Sequence, residues 1–273
     1  MTGPRILAIE ALPLRVPLRE PFAIAAATLL AIDNVAVRVT LDDGTVGWGE
    51  IPVLPPVTSG DSATATATVD AAATTLAGRP IGEWRELARE LGWRWERRHA
   101  ACAGIEMALV DAAARAAGMP LHAWFGGAGD RLTTDITIPI CAPARAAELA
   151  AGYRLEGYAT LKTKIGVNPD DDLARVLAVA TASPGARLVL DANGGYDADT
   201  ALAIVVQLRN FGVVPALLEQ PVAREDWDGL GRVAREAGVP VAADESCRDP
   251  DELRRIAAGR LAQVVNVKLA KSG

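Results

Sequence analysis

From residue 133 onward the chain repeats one pattern: an apolar run that ends in a charged or polar residue, a helical stretch, then the next run. The runs are TTDITIPI (133–140), YATLKTKI (158–165), ARLVLDA (186–192), PALLEQ (215–220), VPVAAD (239–244) and AQVVNVKL (262–269). Between them, DDDLARVLAVATA (170–182), ADTALAIVVQLRNFG (198–212) and DWDGLGRVAREAG (226–238) carry helical periodicity. Near-continuous apolar strands that alternate with helices require a parallel sheet covered on its faces. Six successive units predict an α/β fold of the TIM-type (β/α) barrel kind rather than an open doubly wound sheet. No GxGxxG follows the first strand, which weakens the dinucleotide-binding alternative further.

The first part of the chain has a different texture. Residues 5–18 and 33–41 read as strands, and DNVAVRVTLDDGTVGWGEI as a hairpin turning at Asp42-Asp43-Gly44. Helices are predicted over 60–78, 82–99 and 104–118, the last ended by Gly118 with Pro120 beyond it. The expected division is an α+β domain over 1–120 and an incomplete barrel over 121–273. The segment 83–99 holds Trp84, Trp93 and Trp95, but its interleaved glutamates make it a solvated amphipathic helix rather than a nucleic-acid platform. FGGAGD (125–130) reads as a turn, since no GK[ST] follows.

Composition excludes several functions. A net charge of −6 argues against a nucleic-acid or anionic-membrane binder. Arg5 and Glu10 break any leader-like run, and no stretch approaches the roughly 20 apolar residues of a membrane span. Cys102, Cys141 and Cys247 lie far apart and outside any CxxC, so neither a disulfide framework nor a thiolate metal site is expected. Cys247 reads as a buried thiol rather than a nucleophile. The expectation is a soluble cytoplasmic protein.

Where the apolar runs end, charges stand: Lys162 and Lys164, Asp191, Glu219, Asp244 and Lys268. The spacings are 27 (164 to 191), 28 (191 to 219), 25 (219 to 244) and 24 (244 to 268), each one strand–helix unit. In a barrel such positions share the rim where active sites are built. Three carboxylates on neighbouring strands repel one another unless something neutralises them. Hard oxygens suit Mg2+, so Asp191, Glu219 and Asp244 are predicted to hold one ion, with capping or ion pairing the alternative for any one of them alone. Lys162 and Lys164 sit two apart and share a face, so each ammonium is expected to lower the other's pKa towards neutrality. Lys268, four strands away, falls on the opposite side of an eight-stranded barrel, which would put a substrate between two bases. Lys271 reads as a loop or surface charge. Only four of the 28 basic residues are lysines, and lysine, unlike arginine, can be tuned to release its proton.

At these residues the sequence resembles the enolase superfamily, muconate-lactonizing subgroup. The K-x-K pair stands in LKTKIG, the carboxylates in LVLDANGGY, LLEQP and ADES, and the distal lysine in VVNVKLAKSG. GIEMALVDAAARAAGMPLHAWFGG resembles the helix that links a capping domain to the barrel, and the resemblance covers essentially the whole chain. It implies an N-terminal capping domain, a Mg2+ cofactor and a lysine base, a known pattern of that superfamily. VLPPVTSGDS (53–62), IEMALVDAAAR and NVKLAKSG are most similar to dipeptide epimerases of the L-Ala-D/L-Glu type. The implied activity is that of an isomerase, a racemase or epimerase of amino-acid derivatives. It performs Mg-dependent 1,1-proton transfer at an α-carbon through an enolate, with Lys164 and Lys268 as bases and Lys162 beside them. The implied partner is a small molecule, a dipeptide or related carboxylate, with homo-oligomerisation left open. The glutamate-specific type commonly carries a basic residue in the loop that PFAIAAATL (21–29) matches; this one has none, which points to a more apolar dipeptide. Muconate or chloromuconate cycloisomerase, N-succinylamino-acid racemase and o-succinylbenzoate synthase share the barrel residues and are the alternatives, as is a non-catalytic truncated fragment. The chain stops five residues after Lys268. Strands seven and eight, and the acidic D-x-D pair dipeptide epimerases carry on strand eight, therefore have no counterpart in this sequence.

Overall fold

A computed structural model describes residues 3–24, 27–54, 58, 60–127, 129 and 131–273. Residues 25–26 of the 21–29 segment, 55–57 and 59 of the 53–62 segment, and 128 and 130 of the FGGAGD turn lie outside the described residues, and so do the expectations that rest on them.

The chain divides into two compact units, residues 1–19, 31–132 and 268–273 in one and residues 20–30 and 133–267 in the other. Strands β1 (Ile6–Ile24), β2 (Ala27–Leu41) and β3 (Val46–Ile51), which belong to the first unit except for residues 20–24 and 27–30, form a sheet in the order β1-β2-β3, with β2 and β3 antiparallel about the expected turn after Leu41. β1 runs past the expected end at residue 18 although Pro13, Pro17 and Pro21 lie within it. Proline cannot donate to a ladder, but β1 is an edge strand, and these prolines share one parity, so their missing N–H groups all face the same side.

Four helices follow in this unit: α1 (Ser62–Leu76), α2 (Trp84–Arg94), α3 (His99–Ala116) and α4 (Leu121–Trp124). The single helix expected over 82–99 is thus a 3-10 turn at Ile81–Glu83, then α2, then a break at residues 95–98 in which the Arg98 N–H bonds Trp95 O at 2.7 Å. α3 is rich in alanine because β3 lies directly on it. A Cβ on Gly49 would stand 2.0 Å from Gly104 O, and one on Gly47 2.3 Å from the Ala112 nitrogen. Asp111 fixes this contact by accepting the Trp48 N–H at 2.9 Å.

The second unit carries six parallel strands in chain order, β4 (Asp135–Ile138), β5 (Thr160–Lys164), β6 (Arg187–Asp191), β7 (Leu217–Glu219), β8 (Val241–Ala243) and β9 (Val264–Val265). The crossovers are α5 (Pro143–Leu155), α6 (Pro169–Ala182), α7 (Ala198–Asn210), α8 (Trp227–Glu236) and α9 (Pro250–Gly259). This is the expected succession of β/α units. Leu161, Leu190, Leu218, Val241 and Ala243, all fully buried, form one face of the sheet and pack in one core with Val176 and Val179 of α6, Ile204 of α7 and Val233 of α8. A last short helix, α10 (Leu269–Ser272), packs on α3 in the first unit, as does α4. These contacts put the division at 132 rather than the expected 120 and return residues 268–273 to the first unit. Among the described residues no helix is long and apolar enough to cross a membrane.

Candidate active site

The pleat of β5 sends Leu161 and Thr163 towards the helices, so Lys162 and Lys164 share the other face. Parallel pairing aligns Lys164 with Asp191, Asp191 with Glu219, and Glu219 with Ala242. One cross-strand row therefore holds an ammonium and two carboxylates, and Asp244 follows directly after β8. All are withdrawn from water: Asp244 is 0% exposed, Asp191 1%, Glu219 4% and Lys164 8%.

The lysines neutralise the carboxylates. Lys162 Nζ lies 2.8 Å from Asp191 Oδ2 and 2.7 Å from Glu219 Oε2. Lys164 Nζ lies 2.7 Å from the same Asp191 oxygen and donates to Asn193 Oδ1 at 2.7 Å. The expectation that one of this pair is lowered towards neutrality does not hold for Lys162. Burial pulls its pKa down, but the charges of Asp191 and Glu219 outweigh burial and raise it above the ordinary lysine value. Burial likewise opposes the Asp191 charge, and Lys164 and Lys162 overcome it, so its pKa is lowered. Glu219 goes the other way, raised by burial and by the neighbouring Asp191 charge against the pull of Lys162.

Helix capping, the alternative for the acids, falls to other side chains. Asn168, Asp197, Asp226 and Asp249 accept the N-terminal N–H groups of α6, α7, α8 and α9. Ion pairing, the other alternative, is what Asp191 and Glu219 show, through Lys162 and Lys164. Among the described residues no three carboxylate, imidazole or thiol groups close on one point as a metal cage; on the Asp191–Glu219 pair it is the Lys162 ammonium that converges. The donor chemistry nonetheless suits a hard divalent cation. Two carboxylate oxygens meet at that single ammonium, and Glu245, beside Asp244, keeps a buried Oε2 with no hydrogen-bond partner.

Lys268 does not sit at a strand end. β9 stops at Val265, and Lys268 is the N-cap of α10, grouped with the first unit. Lys271, read as a surface charge, is buried, because α10 packs on α3. Cys247 is buried, as expected.

Sequence reasoning missed the polar groups that hold this row. Asn193 takes Lys164 and passes its Nδ2 to Glu245 Oε1 at 3.0 Å, while its backbone N–H bonds Asp191 Oδ1 at 3.0 Å. Asn266 donates to Glu219 Oε1 at 2.9 Å. Beneath Lys164, fully buried Asp172 accepts the N–H groups of Gly166 and Val167 at 2.8 and 3.1 Å and the Tyr196 hydroxyl at 2.6 Å. Arg175 pairs with Asp172 at 2.5 Å and donates to the carbonyls of Cys141 and Lys164 at 2.7 and 3.2 Å. Burial, then the hydrogen bond to Asp172, holds the Tyr196 phenol well above its ordinary pKa. Asn193 and Asn266 stood inside the quoted motifs and could have been found there. Asp172, third in a run of three aspartates, could not.

Comparison with known proteins follows this geometry. The family described as mandelate racemase / muconate lactonizing enzyme, N-terminal domain, matches residues 8–126, and the enolase C-terminal domain-like family matches residues 144–273. An L-Ala-D/L-amino acid epimerase of Populus trichocarpa is 46% identical over 96% of this chain and 63% of its own length. An aromatic dipeptide epimerase of Herpetosiphon aurantiacus is 41% identical over 98% of this chain and 76% of its own. The chain thus spans under two thirds of the first of these relatives. Among solved structures, a substrate-liganded complex of the L-Ala-D/L-Glu epimerase from Bacillus subtilis superposes with a TM-score of 0.95 at 32% identity, covering 98% of this chain and 76% of that one. A dipeptide epimerase from Enterococcus faecalis, complexed with Mg and the dipeptide L-Leu-L-Tyr, gives 0.94 at 29% identity with the same coverage.

Proposed function

The chain belongs to the enolase superfamily, in its mandelate racemase / muconate lactonizing family, and we propose that it acts as a Mg2+-dependent dipeptide epimerase, moving a proton on and off the α-carbon of a dipeptide's C-terminal residue. The observation that carries this is the Lys164–Asp191–Glu219 row, a proton carrier set directly against buried carboxylates. The choice among chemistries that share such residues rests on the relatives, since those at 41–46% identity are dipeptide epimerases and so isomerases of amino-acid derivatives.

Asp191, Glu219 and Asp244 would hold the Mg2+. When bound, the ion supplies positive charge for the substrate carboxylate. Lys162, kept charged, offsets Asp191 and Glu219, so the row does not carry two unbalanced negative charges. Lys164, aimed by Asp191 and Asn193, exchanges the α-proton on one face; arginine could not, since it does not release its proton. Lys268 takes the same role on the other face, a reading that rests on its VVNVKLAKSG motif. An apolar dipeptide is the proposed substrate, because residues 21–29 carry no basic side chain to pair an acidic one. The three cysteines lie far apart in the sequence and outside any CxxC, which suits a reducing compartment, and the cytoplasm is the proposed location.

The test is proton NMR in deuterated buffer with Mg2+ and the dipeptides Ala-Phe, Ala-Leu and Ala-Glu. The expected result is loss of the C-terminal α-proton signal and growth of the second diastereomer, fastest for the apolar dipeptides. Lys164→Ala and Lys268→Ala should each abolish epimerisation, and any residual exchange should favour opposite enantiomers in the two variants. Inert dipeptides together with turnover of muconate would overturn the reading in favour of a cycloisomerase.

A further inference from the structure

We propose that Gln220 is a positioning residue that sets the separation of Glu219 and Asp244 for a divalent cation. The proposal rests on the metal reading above and extends it to a residue that touches neither substrate nor ion.

Three non-glycine residues among those described have a left-handed backbone: Asn193 (φ 43°), Gln220 (φ 37°) and Arg260 (φ 49°). Arg260 caps the C-terminus of α9, where that conformation is ordinary. The other two follow the carboxylates that end β6 and β7. Asparagine is at home in this region, because its short side chain bonds locally, whereas glutamine lacks that help. A strained residue persists only where its surroundings over-determine it.

Gln220 is over-determined. Its backbone N–H bonds Ala242 O at 2.8 Å. Its amide, fully buried, donates from Nε2 to Val222 O at 2.9 Å and to Ser246 Oγ at 2.8 Å. Oε1 accepts the backbone N–H of Asp244 at 2.9 Å and that of Ser246 at 3.0 Å. Ser246 Oγ then donates to Arg224 O at 2.9 Å, which fixes the hydroxyl's direction. All four bonding positions of the amide are used, and none goes to solvent. The side chain leaves the residue after one carboxylate, crosses to the next strand end and grips the N–H of the other carboxylate itself. A staple that served only to close the loop would not need to hold Asp244, nor to strain the position beside Glu219. Groups that orient ligands without touching the ion control its affinity.

Two substitutions separate this role from plain stabilisation. Gln220→Gly removes the staple and leaves the buried N–H groups of Asp244 and Ser246 without that partner, so its metal-free melting temperature should fall, with relief of the backbone strain offsetting only part of the loss. Gln220→Glu keeps the shape and Oε1 but turns a second acceptor towards Val222 O. Mg2+ dissociation constants are measured by calorimetry well below the melting temperature, with Asp61→Ala, which uncaps α1 in the first unit, as a variant that loses stability away from the site. Both Gln220 variants should bind Mg2+ about 10- to 100-fold more weakly, the range typical of lost ligand-orienting partners, while Asp61→Ala binds as wild type. Unchanged Mg2+ affinity in Gln220→Gly, with wild type binding normally, overturns the role of Gln220 alone. A wild-type protein that binds no Mg2+ overturns the metal reading and this inference together.

Discussion

Arg175 and Asp172 are charges taken out of water for the sake of the backbone they hold, the turn that follows Lys164. A buried pair is strongly destabilising to break from one side only, because the survivor keeps its desolvation cost. Arg175→Met should therefore lower unfolding free energy by about 3–5 kcal/mol in urea titration. Adding Asp172→Asn to it should recover part of that loss, so an additive double variant would show that the two are not coupled. A second buried group gives a pH signature. Burial and the Glu106 charge push the Cys102 thiol from 9.0 up to about 11 against the pull of Arg98. The unfolded chain then loses this proton first, so the stability it contributes is complete below pH 9 and is lost as pH rises towards about 11. Across that window Cys102→Ala should lose less stability than wild type, and parallel curves would contradict the shift. At this scale the sequence revealed charges only where they recur with the strand–helix period, as at residues 164, 191 and 219. The charge state of Lys162 was misread because it depends on two carboxylates 29 and 57 positions away, at 2.8 and 2.7 Å.

Elements were legible where one physical cause acts along one segment. The apolar runs became β4 to β9, shortened to the residues that make ladders. The run 262–269 shrank most, to Val264–Val265, and Lys268 thereby passed from a strand to a helix cap. β1 continues past residue 18 through Pro21, which an edge strand tolerates. Local capping carries its own prediction. Asn168 Oδ1 accepts the N–H groups of Asp170 and Asp171 at 3.0 and 3.1 Å, with Pro169 at the first helical position. Asn168→Ala should cost about 0.5–2 kcal/mol, read as a shift in urea midpoint without change in slope. Close packing carries another. Gly49→Ala places a methyl 2.0 Å from Gly104 O, where only backbone can yield. It should destabilise by at least about 1–3 kcal/mol, the usual range for overpacking, and a neutral result would mean that β3 does not lie on α3 as described.

At the scale of the whole molecule, the six-stranded order followed from the period of the sequence, but the division into units did not. Residues 20–30 join the second unit, where Glu20 meets Arg145 at 2.9 Å across 125 positions, a contact with no local signal. The division makes a statement about where bound metal should be felt. Asp191, Glu219 and Asp244 lie on three consecutive strand ends of the second unit, and the N–H groups of Ala192, Gln220 and Asp244 bond across those ends to Glu219 O, Ala242 O and Gln220 Oε1. An ion held by all three carboxylates opposes any opening that separates them, by RT ln(1 + [L]/Kd), or about 2.7 kcal/mol at one hundred times Kd. Amide hydrogen exchange at Ala192, Gln220 and Asp244 should then slow about 100-fold at that Mg2+ concentration if these groups exchange by local opening. The amides of Val37 and Val39 on β2, in the first unit, should keep their rates. Asp191→Asn should erase the Mg2+ effect at the three strand ends. Equal slowing in both units would mean that the ion acts on global unfolding, and slowing confined to the first unit would place the metal away from these carboxylates altogether.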